Sequence, residues 1–196
     1  EKHSLNPINY YGFTKLMIEK QLLWYNQLKG LNVACLRYFN AAGYDVKGRV
    51  RNKENNPQNL LPIVMEVAAG LREKINVFGN DYDTPDGTCL RDYIHVMDVA
   101  ASHIKCLEHV TDKKGLYDYN IGTGKGVSVL QLLELFNKTL DVSIKYRFGD
   151  RRRGDAPELY ANCAKIHSEV GWKTEYNVEE ALQHAWSWEM NKKNIT

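Results

Sequence analysis

The chain has 196 residues, 43% of them hydrophobic and 11% aromatic, which suits one good core or a core with an extra lobe and disfavours disorder. Its formal net charge of +2 comes from interspersed acids and bases, so no global field points to nucleic acid or to a membrane surface. No apolar run approaches the roughly 18–20 residues that span a bilayer. Glu1, Lys2 and His3 do not open a signal peptide, and the lack of an initiator methionine leads us to expect a true amino terminus upstream. Cys35, Cys89, Cys106 and Cys163 lie far apart, as reduced thiols in a cytoplasmic protein do. The histidines are scattered without zinc spacing, so no metal site is expected.

In chain order, apolar periodicity predicts a helix from about Thr14 to Lys29, stopped by Gly30. A strand follows over Asn32 to Phe39, then a polar loop. A second helix is expected over Leu60 to Ala69, with Pro62 in its first turn, where the missing N–H matters least. Short apolar runs at Ile75 to Phe78 and Tyr93 to Val96 bracket a loop of turn residues, Asn80 to Thr88. Asp98 to Glu108 reads as helix and Leu116 to Ile121 as strand. A glycine-rich turn, Gly122 to Gly126, leads to a helix from Val129 to Thr139 capped by Ser128. The last helix, Val178 to Met190, has Asn177 as its cap and Glu180 three positions on. Strands alternating with helices indicate an α/β protein with some parallel sheet, and the longer loops around 44–58 and 79–90 suggest a substrate lobe.

The first segment that can carry chemistry is NYYGFTK, Asn9 to Lys15. Tyr11 and Lys15 are four apart on one helical face. A phenol is a poor base at neutral pH, and a nearby ammonium favours its phenolate, which could then exchange a proton with a sugar hydroxyl. Tyr-x-x-x-Lys alone arises often by chance.

With its flanks, however, NPINYYGFTK resembles the Tyr-x-x-x-Lys segment of the extended short-chain dehydrogenase/reductase family. Four further segments in matching order, LRYFNAAG (36–43), QNLLP (58–62), VFGNDYDTPDGTCLRDYIHVMDVA (77–100) and RRRGDAP (151–157), narrow the resemblance to the UDP-glucose 4-epimerases. The third string is the most specific. The resemblance covers the whole chain but only the carboxy-terminal part of such an enzyme.

This resemblance implies the end of a Rossmann-type NAD-binding domain, residues 1–43, joined to a smaller mixed α/β UDP-sugar-binding domain, mainly 44–196, with about 92–122 packing back on the first part. It implies interconversion of UDP-glucose and UDP-galactose through transient oxidation at C4, with NAD as cofactor and a homodimer when complete. Tyr11 would be the acid/base and Lys15 its partner, both touching the cofactor, with Phe39 near the nicotinamide. Asn40 would contact the UDP-sugar, and Asn59 a phosphate or the sugar. Asn76, Val77 and Phe78 would hold the uracil by backbone bonds and the Phe78 ring. Arg91 and Arg152 would grip the diphosphate and Asp155 the uridine ribose, as charge-assisted forks and a carboxylate for a diol should. Leu159 stands where the family carries a tyrosine or a small residue that limits the sugar pocket, and Arg153 replaces a more usual acid.

Read without the resemblance, several of these residues have plainer roles. Arg91 and Asp92 could form a local ion pair, Arg151 to Arg153 a solvated face or a small nucleic-acid patch, and Tyr38, Phe39 and Phe78 part of a core. GTGKG (122–126) imitates a phosphate loop without matching either established pattern, and we read it as a strand-to-helix turn. His95 reads as a satisfied structural histidine. A non-catalytic UDP-sugar-binding module, or another nucleotide-sugar epimerase or dehydratase, are the competing functional readings.

Overall fold

A computed structural model describes residues 1–50 and 57–193. In chain order the elements are α1 (Tyr10–Lys29), β1 (Val33–Tyr38), β2 (Asn40–Ala42), α2 (Leu60–Ala68), β3 (Ile75–Phe78), β4 (Leu90–Arg91), β5 (Tyr93–His95) and α3 (Val96–Asp112). They continue as β6 (Leu116–Ile121), β7 (Val127–Ser128), α4 (Val129–Leu140), β8 (Tyr146–Gly149), β9 (Glu158–Leu159), α5 (Ala164–Glu169) and α6 (Val178–Lys193).

The first helix starts four residues before the apolar pattern suggests. Asn9 is its cap, accepting the Gly12 N–H through Oδ1 at 2.8 Å, so Tyr11 and Lys15 both lie inside the helix. It ends where expected, at Gly30 with φ 66°. The third helix also starts early, because His95 Nδ1 accepts the Met97 N–H and caps it. Ser128 and Gln131 form a full capping box on α4, and Asn177 and Glu180 exchange the same pair of bonds before α6.

The expected strand over Asn32 to Phe39 is β1, and a second short strand, β2, follows it directly with a different partner. β1 runs parallel to β6. At Phe39 the N–H still reaches Ile121 O, but the Asn40 N–H turns to Asp92 O, and β2 then runs parallel to β5. A third parallel pair joins β3 to β8, and β4 lies between antiparallel β7 and parallel β9. The loop expected around 44–58 lies partly outside the described residues.

Two apolar clusters hold these pieces. One gathers Val64, Met65, Ile75, Val77, Leu132, Phe136 and Leu182 from α2, β3, α4 and α6. The other gathers Ile94, Cys106, Tyr119, Ile121, Ile166 and Trp172 around β5, α3, β6 and α5. Alternation along β5 sends Tyr93 into the first cluster and Ile94 into the second, so this short strand is a wall between them. Asp98 adds a polar tie, accepting the Glu175 and Tyr176 N–H groups and fastening α3 to the segment that precedes α6.

Candidate functional site

A cleft of about 530 Å³ opens over β3, the start of α2 and the β4 region. Its walls include Asn40, Asn59, Asn76, Val77, Phe78, Arg91, Arg152 and Asp155, which are eight of the nine residues expected to hold a UDP-sugar. They come from five separate stretches of chain.

The base of the cleft is the edge of β3. Ile75 donates to Lys145 O at 3.0 Å and Gly79 to Gly149 O at 2.9 Å, so residues 75, 77 and 79 direct their backbone groups to β8. The N–H and C=O of Asn76 and Phe78 therefore lie on the opposite edge, where no strand among the described residues pairs. Side chains alternate accordingly: Ile75 and Val77 are buried in the core, while Asn76 and Phe78 are exposed.

Beside that edge sits a charged group of three. Arg91 donates to Ala156 O and Leu90 O, both at 2.8 Å, and its other nitrogen lies 3.5 Å from Asp155. Arg152 donates through Nε to the second Asp155 oxygen at 3.1 Å, and its guanidinium lies over the Phe78 ring at 5.1 Å. Asp155 is thus shared by two arginines, and the net charge of the three is positive. The structure does not pair Arg91 with Asp92. Asn59 stands at the N-cap position of α2 but makes no side-chain cap bond, which leaves its amide available to the cleft. Tyr93, which the sequence reading did not single out, also lines the wall, and burial raises its phenol pKa above the ordinary value. Cys89, Arg72 and Lys74 are further lining residues that carried no signal in the sequence.

Four expected site residues lie outside the cleft walls. Leu159 is on β9, half exposed at 50%, opposite Arg91 in the parallel register. Phe39 is half-buried and packs against the second apolar cluster. Tyr11 is 70% exposed, and the Lys15 ammonium sits 5.2 Å from its ring centre. The turn that carries Arg152 and Asp155 approaches the entry to α1, since a Cβ on Gly154 would lie 4.0 Å from Ile8 O.

The GTGKG turn has its amides already occupied. Asp92, fully buried, accepts from Thr123 N at 2.9 Å, Thr123 Oγ1 at 2.7 Å, Gly124 N at 2.9 Å and Ala161 N at 3.1 Å. A Cβ on Gly122 would lie 2.5 Å from the Asp92 carboxylate, so glycine is needed there for space. The turn is built around an internal anion, which already takes the Thr123 and Gly124 amides.

His95 is also satisfied internally. Because Nδ1 accepts the Met97 N–H, the ring proton is on Nε2 and points at His184 Nδ1, 3.1 Å away. Tyr176 stacks on the ring at 4.4 Å, and burial, with His184 beside it, pushes the imidazole pKa down to about 4.

A sequence model of the family described as GDP-mannose 4,6 dehydratase matches residues 1–185. The chain belongs to that family. Within this family of extended short-chain dehydrogenases/reductases it is UDP-glucose 4-epimerase-like. It is 43% identical over 183 residues to a UDP-glucose 4-epimerase of Halalkalibacterium halodurans, covering 93% of this chain and 55% of that protein. It is 43% identical over 196 residues to the UDP-glucose 4-epimerase of Bacillus subtilis, covering 99% and 58%. Among solved structures, the UDP-glucose-4-epimerase of Stenotrophomonas maltophila, with bound NAD and formylated UDP-arabinopyranose, superposes with a TM-score of 0.95 at 36% identity, covering 100% of this chain and 59% of that one. The Bifidobacterium longum UDP-glucose 4-epimerase in complex with NAD+ and UDP gives 0.91 at 37% identity, covering 96% and 57%. The chain spans a little more than half the length of these relatives.

The groups that would meet NAD in such a family member fit its nicotinamide end. An exposed phenol, an ammonium over that phenol and a half-buried ring one residue before cleft-lining Asn40 suit a nicotinamide riboside. For the dinucleotide's phosphates the Gly122–Gly126 turn offers nothing, since Asp92 holds its amides.

Proposed function

We propose that this chain forms the UDP-sugar site and the tyrosine–lysine pair of an NAD-dependent enzyme that interconverts UDP-glucose and UDP-galactose. The observation that carries this reading is the single cleft in which eight separately expected residues meet. Along the unpaired edge of β3 the backbone offers donor, acceptor and donor: Asn76 N–H, Asn76 C=O and Phe78 N–H. That series is the complement of the carbonyl, N–H and carbonyl edge of uracil. Arg91 and Arg152 supply charge-assisted donors for a diphosphate, and Asp155 an acceptor for a ribose diol.

Residues 1–43 would belong to the NAD-binding domain and mainly 44–196 to the substrate domain, with about 92–122 packing back on the first part. NAD, held mainly by parts of the enzyme beyond this chain, would accept and return hydride at C4 of the sugar. Tyr11 Oη would take the proton of the 4-hydroxyl and give it back, with Lys15 favouring the phenolate and bonding the nicotinamide ribose, and Phe39 bordering the ring. Anchoring the nucleotide far from C4 leaves the oxidised sugar free to turn about its diphosphate and present its other face. On this reading the chain by itself binds UDP but does not turn over. The exposed apolar side chains of α1, among them Tyr10, Phe13, Trp24 and Leu28, would be covered in a complete homodimeric enzyme. Four free cysteines fit a cytoplasmic setting.

The test is UDP titration into this chain by calorimetry. Arg152→Ala and Arg91→Ala should each weaken UDP by about 1.5–3 kcal/mol, the worth of a charge-assisted bond. Unchanged affinity in both variants would remove the diphosphate assignment.

Leu159 bears on the sugar. A leucine has no hydroxyl and is shorter than a tyrosine, so we expect the complete enzyme to accept UDP-N-acetylhexosamines as well as the plain UDP-hexoses. Leu159→Tyr should narrow that range by about 1–3 kcal/mol in relative kcat/KM. Equal handling of N-acetylated sugars by the tyrosine variant would clear Leu159 of this role.

A further inference from the structure

The run Arg151 to Arg153 falls on the turn that joins β8 to β9. Both ends of this connection are pinned by the backbone: Gly79 donates to Gly149 O at 2.9 Å and Leu90 to Pro157 O at 2.8 Å. Between them, Arg91 holds the carboxy-terminal limb by donating to Ala156 O at 2.8 Å. The amino-terminal limb is held by Arg151. Its Nε donates to Asp81 Oδ1 at 2.7 Å, a second nitrogen donates to Asp81 O, and the guanidinium lies over the Tyr82 ring at 4.4 Å. Tyr82 is buried, so this platform belongs to the body of the domain. Gly79 makes the approach possible. At φ 80° it carries no Cβ, which would lie 2.5 Å from the Tyr82 ring and 3.0 Å from Arg151 Cγ.

We propose that Arg151 is a positioning residue for the diphosphate: it latches the turn to residues 79–82 and so sets where the next residue, Arg152, presents its guanidinium. The inference rests on the reading of this cleft as a UDP-sugar site. Arg151 is not among the residues that line the cleft, and Asp81 neutralises its charge, so it acts through Arg152 and not by its own attraction. In the open cleft Arg152 rests on Phe78 and Asp155. A base against Phe78 and a phosphate drawing the guanidinium would take both contacts away, and the latch would then hold that limb. The latch bonds a loop outside the cleft, so nucleotide binding leaves it intact. A guanidinium carried on a fastened turn loses less freedom on binding than one carried on a loose turn, and this is the gain that Arg151 supplies.

The experiment is a double-mutant cycle read by UDP calorimetry on the chain. The Arg151 and Asp81 side chains are 50% and 68% exposed, so their replacement leaves the core untouched. Arg151→Met should weaken UDP roughly threefold to tenfold, the combined worth of an exposed ion pair and a cation–π contact. Arg151→Lys should recover part of that loss, because an ammonium can also pair with Asp81 over the ring. Asp81→Ala should weaken UDP roughly twofold to fivefold, although it removes a negative charge from the neighbourhood of an anionic ligand. If Arg151 attracted the phosphates directly, freeing it from Asp81 would tighten UDP instead. In an Arg152→Ala background both substitutions should cost less than about twofold more, because the residue they act through is gone. Tighter binding in Asp81→Ala, no loss in Arg151→Met, or a loss that multiplies in full with that of Arg152→Ala would overturn the proposal alone. If Arg152→Ala leaves UDP affinity unchanged, or the unaltered chain fails to bind UDP, the diphosphate reading falls first, and the inference with it.

Discussion

Tyr11→Phe is expected to lower epimerisation by the complete enzyme about 10²–10⁴-fold, the usual contribution of a general acid–base group. UDP affinity should stay nearly unchanged. The two parts of this expectation follow from where Tyr11 sits: on the first turns of α1, exposed, with Lys15 over its ring, and outside the walls of the cleft that gathers the nucleotide-binding residues. The substitution removes one oxygen and no packing. A coupled assay for UDP-galactose conversion beside a UDP titration separates the two effects. Near-normal turnover would exclude Tyr11 as the proton carrier, and a large loss of UDP affinity would contradict the division between binding and chemistry.

The largest effect on stability should come from Asp92→Ala. The carboxylate is buried and holds the backbone of residues 123, 124 and 161; truncation strands the buried Ala161 N–H and removes the acceptor of the half-buried Thr123 and the exposed Gly124. At about 1–3 kcal/mol for the stranded buried amide and about 1 kcal/mol for each lost bond at the turn, the loss is a large share of the stability of a typical domain. The damage should reach the cleft as well. The 122–126 turn leads into β7, which pairs with β4, the strand that carries Arg91. Urea unfolding should show a midpoint lowered severely, with UDP binding lost in step. A variant that unfolds at the same midpoint as the unaltered chain would show that the turn does not depend on this anion.

Much of the fold was legible from local signals, because helices with caps and apolar periodicity announce themselves. Gly30 ends α1 and Ser128 starts α4 as read from the sequence. The early starts of α1 and α3 were missed because their caps, Asn9 and His95, precede the apolar pattern, and histidine is an unusual cap. β4, β7 and β9 are two residues each, too short for any period, and exist only through pairing with one another. β8 is exposed along its whole length and carries no alternation to read. β2, directly after the apolar run of β1, depends on a partner some fifty residues away, which local pattern cannot supply.

The site shows the same limit. Tyr11 and Lys15 could be paired by spacing alone, but nothing local brings Asn59, Phe78, Arg91 and Asp155 to one cleft; the family resemblance did that. Asp92 was weighed only as a partner for Arg91, and its acceptor role escaped notice because its donors lie 31 and 69 residues away. The Asn76–Arg147 bond joins residues 71 apart and leaves no trace in either segment.

The most direct test of the account is a crystal structure of this chain with UDP. The base should lie along the unpaired edge of β3 at Asn76 and Phe78, with diphosphate oxygens about 3 Å from the Arg91 and Arg152 guanidinium nitrogens. Arg152 should leave the face of Phe78, where it now lies. A nucleotide bound at the Gly122–Gly126 turn, or anywhere that leaves Arg91 and Arg152 without contact to phosphate, would contradict this placement.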